Sequence, residues 1–171
     1  MSNKDNKIKQ FFDKIKPYIP TYIVAIAIPL IVGILSALIT KDNMDIYGEL
    51  NSPPLAPPSW LFPIAWTLLY ILMGVSSAMV FLDREKDFAS ARCGLRYYAL
   101  SLVLNFGWSI IFFNARSFLF AFVWLLALLF TIVKTILCYR KVNHVAAYLQ
   151  IPYALWVAFA GYLNAGIWLL N

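Results

Sequence analysis

Five runs of this chain are nearly free of charge: residues 18–40, 59–82, 97–115, 117–139 and 142–171. Lys134 interrupts the fourth, and the sole histidine, His144, falls in the fifth. An α-helix needs roughly 18–20 apolar residues to cross a hydrocarbon core, and each run reaches that length. In lipid every backbone polar group must be satisfied within the protein, so continuous apolar runs of this kind are read as helices. Composition agrees, with 62% hydrophobic and 13% charged residues, against about half and a quarter in soluble domains. The expected fold is all-α: a polytopic bundle of five transmembrane helices with spans at about 18–40, 59–82, 97–115, 117–139 and 145–170. These consume residues 18–171 as a single domain and leave no room for a separate soluble one.

Orientation follows from Lys and Arg. Residues 1–17 carry Lys4, Lys7, Lys9, Lys14 and Lys16; the segment after the second span carries Arg84, Lys86, Arg92 and Arg96; the one after the fourth carries Arg140 and Lys141. The alternate loops hold only Lys41 and Arg116. The positive-inside rule then puts the N-terminus in the cytoplasm and the C-terminus outside, in an integral protein of a bacterial cell membrane. Topology accounts for the net charge of +6, so nucleic acid is not an expected partner; the lipid bilayer is. The first span is too long for a signal peptide, whose apolar region is about 7–15 residues. Cys93 and Cys138 fall at cytoplasmic ends, where reducing conditions oppose a disulfide between them. Lys134 is close enough to that surface to snorkel.

Residues 1–17 place Ile8, Phe11, Phe12 and Ile15 on one helical face, with lysines elsewhere. The pattern fits a basic amphipathic helix on the inner leaflet, or equally a disordered tail that enforces topology.

The segment 51–70, NSPPLAPPSWLFPIAWTLLY, organises the rest. Pro53, Pro54, Pro57 and Pro58 force an extended chain, with Ser59 as the expected N-cap of the second span. The loop 41–58 is long enough to act as a lid. Trp66 and Tyr70 lie one turn apart on one face, and Trp60 suits an interface. Gly33 with Ala37, and Gly74 with Ala78, have the small-xxx-small spacing of close helix contacts, and Pro29 predicts a kink in the first span. On the third span Asn105 and Trp108 share a face. An amide at that depth must point inward, either gluing helices together or serving a ligand. In the fifth span Pro152 predicts a bend near the start, Trp156, Ala160, Leu163 and Ile167 form one stripe, and Asn164 is a second intramembrane amide. Trp168 suits the outer belt.

Chemistry-bearing clusters are missing from the sequence. No acidic residue lies inside any span, which argues against a proton- or cation-coupled transporter. His144 lies far along the chain from the aromatic residues, so neither a metal nor a haem ligand is expected of it, and no cofactor is. What stands out is aromatic density: six Trp, ten Tyr and thirteen Phe. Each Trp alone fits a belt or core position; Trp66, Trp108 and Trp156 on three helices together fit a π-rich cavity for a flat ligand.

The run PPLAPPSWLFPIAWTLLYILMG, then LNFGWSIIFF, then PYALWVAFAGYLNAGIWLLN, resembles in order and spacing the signature segments of the TspO/MBR family, the tryptophan-rich sensory proteins related to the mitochondrial translocator protein. The resemblance covers about residues 50–171. It implies a five-helix bundle whose pocket, beneath the first long loop, binds porphyrins and synthetic aromatic ligands. It further implies that Trp66 and Trp156 line the pocket and take part in light-dependent breakdown of protoporphyrin, that Asn105 and Ala160 face ligand, and that Pro57 and Pro58 belong to the loop motif. Leu55 stands where many members have Trp. The family's cholesterol-recognition segment has no counterpart after the fifth span; a loose match at Leu137, Tyr139 and Lys141 is all that resembles it. Tyr70, Trp108, Tyr153 and Asn164 complete the expected ligand-binding set. Three functions are open: a porphyrin-binding sensor or receptor, a light- and oxygen-dependent porphyrin-degrading enzyme with Trp66 and Trp156 as its catalytic residues, and a tetrapyrrole transporter. The small-residue stripes leave room for a homodimer.

Overall fold

A computed structural model describes residues 16–171, so the amphipathic segment expected at residues 1–17 lies almost wholly outside the described residues. Seven α-helices follow in order: α1 (Ile19–Thr40), α2 (Ile46–Glu49), α3 (Leu61–Leu82), α4 (Phe88–Ser109), α5 (Phe118–Val142), α6 (His144–Leu149) and α7 (Ile151–Leu170). A π-helical turn, Ile110–Asn114, extends α4. No strand occurs among the described residues. Among the described residues five helical stretches are long and apolar enough to cross a membrane: Lys16–Asn43, Leu61–Leu82, Phe88–Asn114, Phe118–Val142 and His144–Leu170. The molecule is an integral membrane protein of all-α fold.

Three boundaries differ from the sequence expectation, each for a local reason. Helix α4 begins at Phe88 and not at Tyr97, because Asp87 caps it by accepting from Ser90 N at 3.0 Å. Arg92 and Arg96 sit on its exposed face, so they do not end the helix. Ser59 is not the N-cap of α3. That place falls to Trp60, with no side-chain cap bond; Leu61 N and Phe62 N instead donate to the carbonyls of Pro58 and Ser59. The fifth span breaks at Gln150 into α6 and α7, with Pro152 in the first turn of α7, where its missing N–H costs nothing. Helix α1 continues through the buried Pro29.

Helices α4 and α5 pack along most of their length, α1 rests chiefly on α3, and α7 on α5. Glycines set the closest approaches. A Cβ on Gly74 would overlap the backbone of α1 at Ile26, and one on Gly33 would overlap the Tyr70 ring. Gly94 gives Tyr139 its place across the α4–α5 contact. Close backbone approach of this kind is how membrane helices gain packing energy where lipid removes the hydrophobic drive.

A polar seam runs inside this apolar bundle. Buried Ser76 donates to Ala146 O at 2.7 Å and accepts from Gln150 Nε2 at 3.2 Å, joining α3 to the α6–α7 break. At the basic end of the bundle Asn143 caps α6 and donates to Asp83 at 2.6 Å, while Lys86 pairs with the same carboxylate at 2.9 Å. His144 is exposed at the start of α6. Cys93 and Cys138 are free thiols on α4 and α5. Lys134 reaches over the Phe130 ring at 5.4 Å. Trp60 and Trp168 are exposed, as interface residues should be.

Candidate functional site

Beneath the loop 41–58 lies a cavity of about 370 Å³, in the size range of small-molecule sites. Helix α3 supplies Phe62, Pro63, Trp66, Thr67 and Tyr70; α4 and its π-turn supply Asn105, Trp108, Phe112 and Phe113; α7 supplies Trp156, Ala160, Leu163, Asn164 and Ile167. The wall on α1 runs from Leu30 through Gly33 and Ala37 to Thr40.

The aromatic floor is a connected cluster. Trp66 stacks on Tyr70 with ring centroids 5.5 Å apart and meets Trp156 edge-on at 6.4 Å. Tyr153 presents its edge to Trp66 at 6.2 Å, and Phe62 touches Trp156 at 6.0 Å. These separations are those at which aromatic rings attract beyond simple burial. The other wall is Trp108 against Phe112, at 5.2 Å.

Polar groups converge on the same space. Asn105 is 4% exposed and donates through Nδ2 to the Tyr70 hydroxyl at 2.8 Å. The Tyr70 oxygen accepts there and still has a proton to donate. Asn164 accepts from Trp108 Nε1 at 3.2 Å and donates to Phe118 O at 2.8 Å, so one amide ties α7 to α4 and to the start of α5. Both intramembrane amides therefore bridge helices and line the cavity together. The indole Nε1 of Trp156 is buried with no hydrogen-bond partner among the described residues.

The loop forms a roof that is fastened to the helices. Asn51 N donates to Asn171 Oδ1 at 3.0 Å, and Asn171 Nδ2 returns a bond to Asn51 O at 3.0 Å. Tyr162 donates to Pro54 O at 2.8 Å, Tyr47 to Pro57 O at 3.3 Å, and Asn43 to Asn114 at 3.1 Å. Pro53 fills the notch that Gly166 leaves in α7. Burial raises the Tyr47 phenol above its ordinary value. At the tip of the turn Leu55 is 83% exposed and left-handed, with φ 68°.

Of the residues expected from sequence, Trp66, Tyr70, Asn105, Trp108, Trp156, Ala160 and Asn164 line the cavity. Pro57, Pro58 and Tyr153 do not. The prolines shape the descent from the roof into α3, and Tyr153 is buried behind Trp66, supporting it from below. Phe62 and Pro63 were legible as the helical neighbours of Trp66, and Phe112 as that of Trp108. The α1 wall was hidden because its residues are small, aliphatic or hydroxyl-bearing and carry no pattern that marks a site.

A model of the TspO/MBR family matches residues 25–169. The chain is 38% identical over 152 residues to the tryptophan-rich protein TspO of Chlorobaculum tepidum, covering 88% of this chain and 96% of that protein. It is 36% identical over 126 residues to protein CrtK of Rhodobacter capsulatus, covering 73% of this chain and 78% of the relative. It is 34% identical over 142 residues to the translocator protein of Bos taurus, covering 82% and 84% respectively.

Proposed function

The chain belongs to the TspO/MBR family, and from that premise we propose that it is a membrane-embedded receptor that holds a tetrapyrrole or a similarly flat aromatic molecule in the cavity beneath the loop 41–58. The observation that carries this reading is the joining of Trp66 and Trp156, from two helices, in one wall of a cavity whose other side is Trp108 and Phe112. A planar macrocycle gains most from faces and edges of this kind, and Tyr70 with Asn105 offers it hydrogen bonding. The cavity wall has no His or Cys to ligate iron, so free-base porphyrin suits it better than haem. On the orientation set by the basic residues, the roof faces outward and residues Arg84, Lys86, Arg140 and Lys141 face the cytoplasm.

The contact of Trp66 with Trp156, backed by Tyr70 and Tyr153, favours a second reading. Four oxidisable rings in contact suit light-driven oxidation of a bound porphyrin by dioxygen, with the two indoles as redox participants. No general acid or base is needed for such chemistry.

Protoporphyrin titrated into the purified protein should change its Soret absorption on binding. Trp66→Ala combined with Trp156→Ala should weaken that binding by about fivefold or more, the loss of two aromatic contacts of order 0.5–1.5 kcal/mol each. Unaltered affinity in the double variant overturns the placement of the ligand. If the double variant binds more weakly but, once saturated with porphyrin, no longer consumes it under illumination while the wild type does, the enzymatic reading is favoured.

A further inference from the structure

The cavity is lined by exposed residues of two neighbouring spans, α1 and α3. Helices α1 and α3 run antiparallel, and on α3 the residues Pro63, Thr67, Tyr70 and Gly74 fall at i, i+4, i+7 and i+11 on the face turned to α1. The lower half of that stripe is closed: Gly74 meets the α1 backbone at Ile26, and Tyr70 fills the space over Gly33. Continuing the same register towards the loop brings Ala37 opposite Thr67 and Thr40 opposite Pro63. Thr40 is buried there, but Ala37 and Thr67 are not. Ile34, Ala37, Pro63 and Thr67 are all exposed, and all four line the cavity. The opening lies between the closed contact at Gly33 and the buried Thr40, which stand about 10 Å apart at 1.5 Å per residue.

The edges of this gap suit hydrocarbon. Thr67 spends its hydroxyl proton on Pro63 O at 2.7 Å, so it offers the opening no free donor. A shallow groove on the outer face of α3, formed by Pro63, Ile64, Thr67, Leu68 and Ile71, shares Pro63 and Thr67 with the cavity and continues it onto the lipid surface. The water-facing route is shut by comparison, since the roof is held by the paired Asn51–Asn171 bonds, by Tyr162 on Pro54 and by Pro53 in the Gly166 notch.

We infer that the gap between α1 and α3 is a lateral portal through which ligand exchanges directly with the hydrocarbon of the leaflet on the loop side. The ligand is then a molecule dissolved in the membrane, flat, aromatic and uncharged along the edge that passes between the helices. This rests on the binding reading above and adds to it the route and the ligand's phase. Roof opening is not required, because the fastened contacts stay in place during exchange.

The test uses the full chain in lipid nanodiscs, with protoporphyrin dimethyl ester as an uncharged, membrane-dissolved probe. Binding is followed by tryptophan quenching, and dissociation by mixing with an excess of empty vesicles. Ala37→Trp narrows the portal from α1, and Thr67→Phe narrows it from α3. Each should slow association and dissociation alike by about tenfold, the effect of a modest added barrier. Asn51→Ala, which loosens the roof, should leave both rates as in wild type. The portal is overturned if either narrowed variant keeps both wild-type rates, or if Asn51→Ala accelerates exchange severalfold. A portal that fails in this way while wild-type quenching persists leaves the binding reading intact. A wild type that the probe does not quench removes the binding reading and its portal together.

Discussion

Tyr70 and Asn105 show why a buried amide in a membrane helix is both structural and available. Their bond of 2.8 Å joins α3 to α4 at the cavity wall. Tyr70→Phe leaves the amide buried without its acceptor, at a cost of about 1–3 kcal/mol. Replacing both, with Asn105→Leu, should cost less than the sum of the single changes. A double-variant cycle of unfolding in detergent, with a coupling of at least about 0.5 kcal/mol, checks this; additive losses would mean that the pair is not coupled. Leu55 gives the opposite case. Its φ of 68° is one that a side chain disfavours by about 1–2 kcal/mol, and its exposed side chain has little packing to lose. Leu55→Gly should therefore keep or raise the melting temperature. A clear drop would show that the side chain makes a stabilising contact.

At the scale of elements, the spans were legible because lipid imposes one rule, freedom from charge over about 20 residues. That rule also hid the start of α4: Arg92 and Arg96 fall outside the charge-free run, yet Asp87 and Ser90 cap the helix nine residues before its apolar core. The π-turn at Ile110–Asn114 left no sequence mark, although it sets where Phe112 and Phe113 meet Trp108. In the site, the aromatic and amide residues could be read from helical spacing, whereas α1 contributes only small, aliphatic and hydroxyl side chains, from Leu30 to Thr40, whose role depends on which helix stands opposite. Gly74 makes that dependence measurable. Gly74→Val would push α1 from α3 and should destabilise the protein by about 1–3 kcal/mol, as overpacking does; unchanged unfolding in SDS would refute the contact. At the basic end, the hydrogen bond from Lys86, aided by Asn143, holds the Asp83 carboxyl below its usual range. A depressed carboxylate contributes stability above its unfolded value, about 3.9, and loses it as pH falls through the folded value. The melting temperature should hold from pH 7 to about 5 and fall below about 4, and Asp83→Asn should shrink that acid loss.

Over the whole molecule, close packing and open space are unevenly placed. The half of the bundle away from the loop is closed by glycine contacts and buried hydroxyls, while the half beneath the roof encloses the cavity and leans on the loop for cover. The Asn51–Asn171 pair joins residues 120 apart in sequence. Asn171→Ala should therefore expose residues 51–58 to protease before the helices unfold, and equal cleavage of variant and wild type would argue against the clasp. The unsealed side between α1 and α3 has a practical corollary for anyone purifying this protein. Solubilising surfactants carry alkyl tails slim enough to thread between two helices, so they act as competitors and not as inert solvent. Apparent affinities should weaken as micelle concentration rises, most steeply for single-tailed surfactants, and bulky steroid-based amphiphiles should leave the site freest.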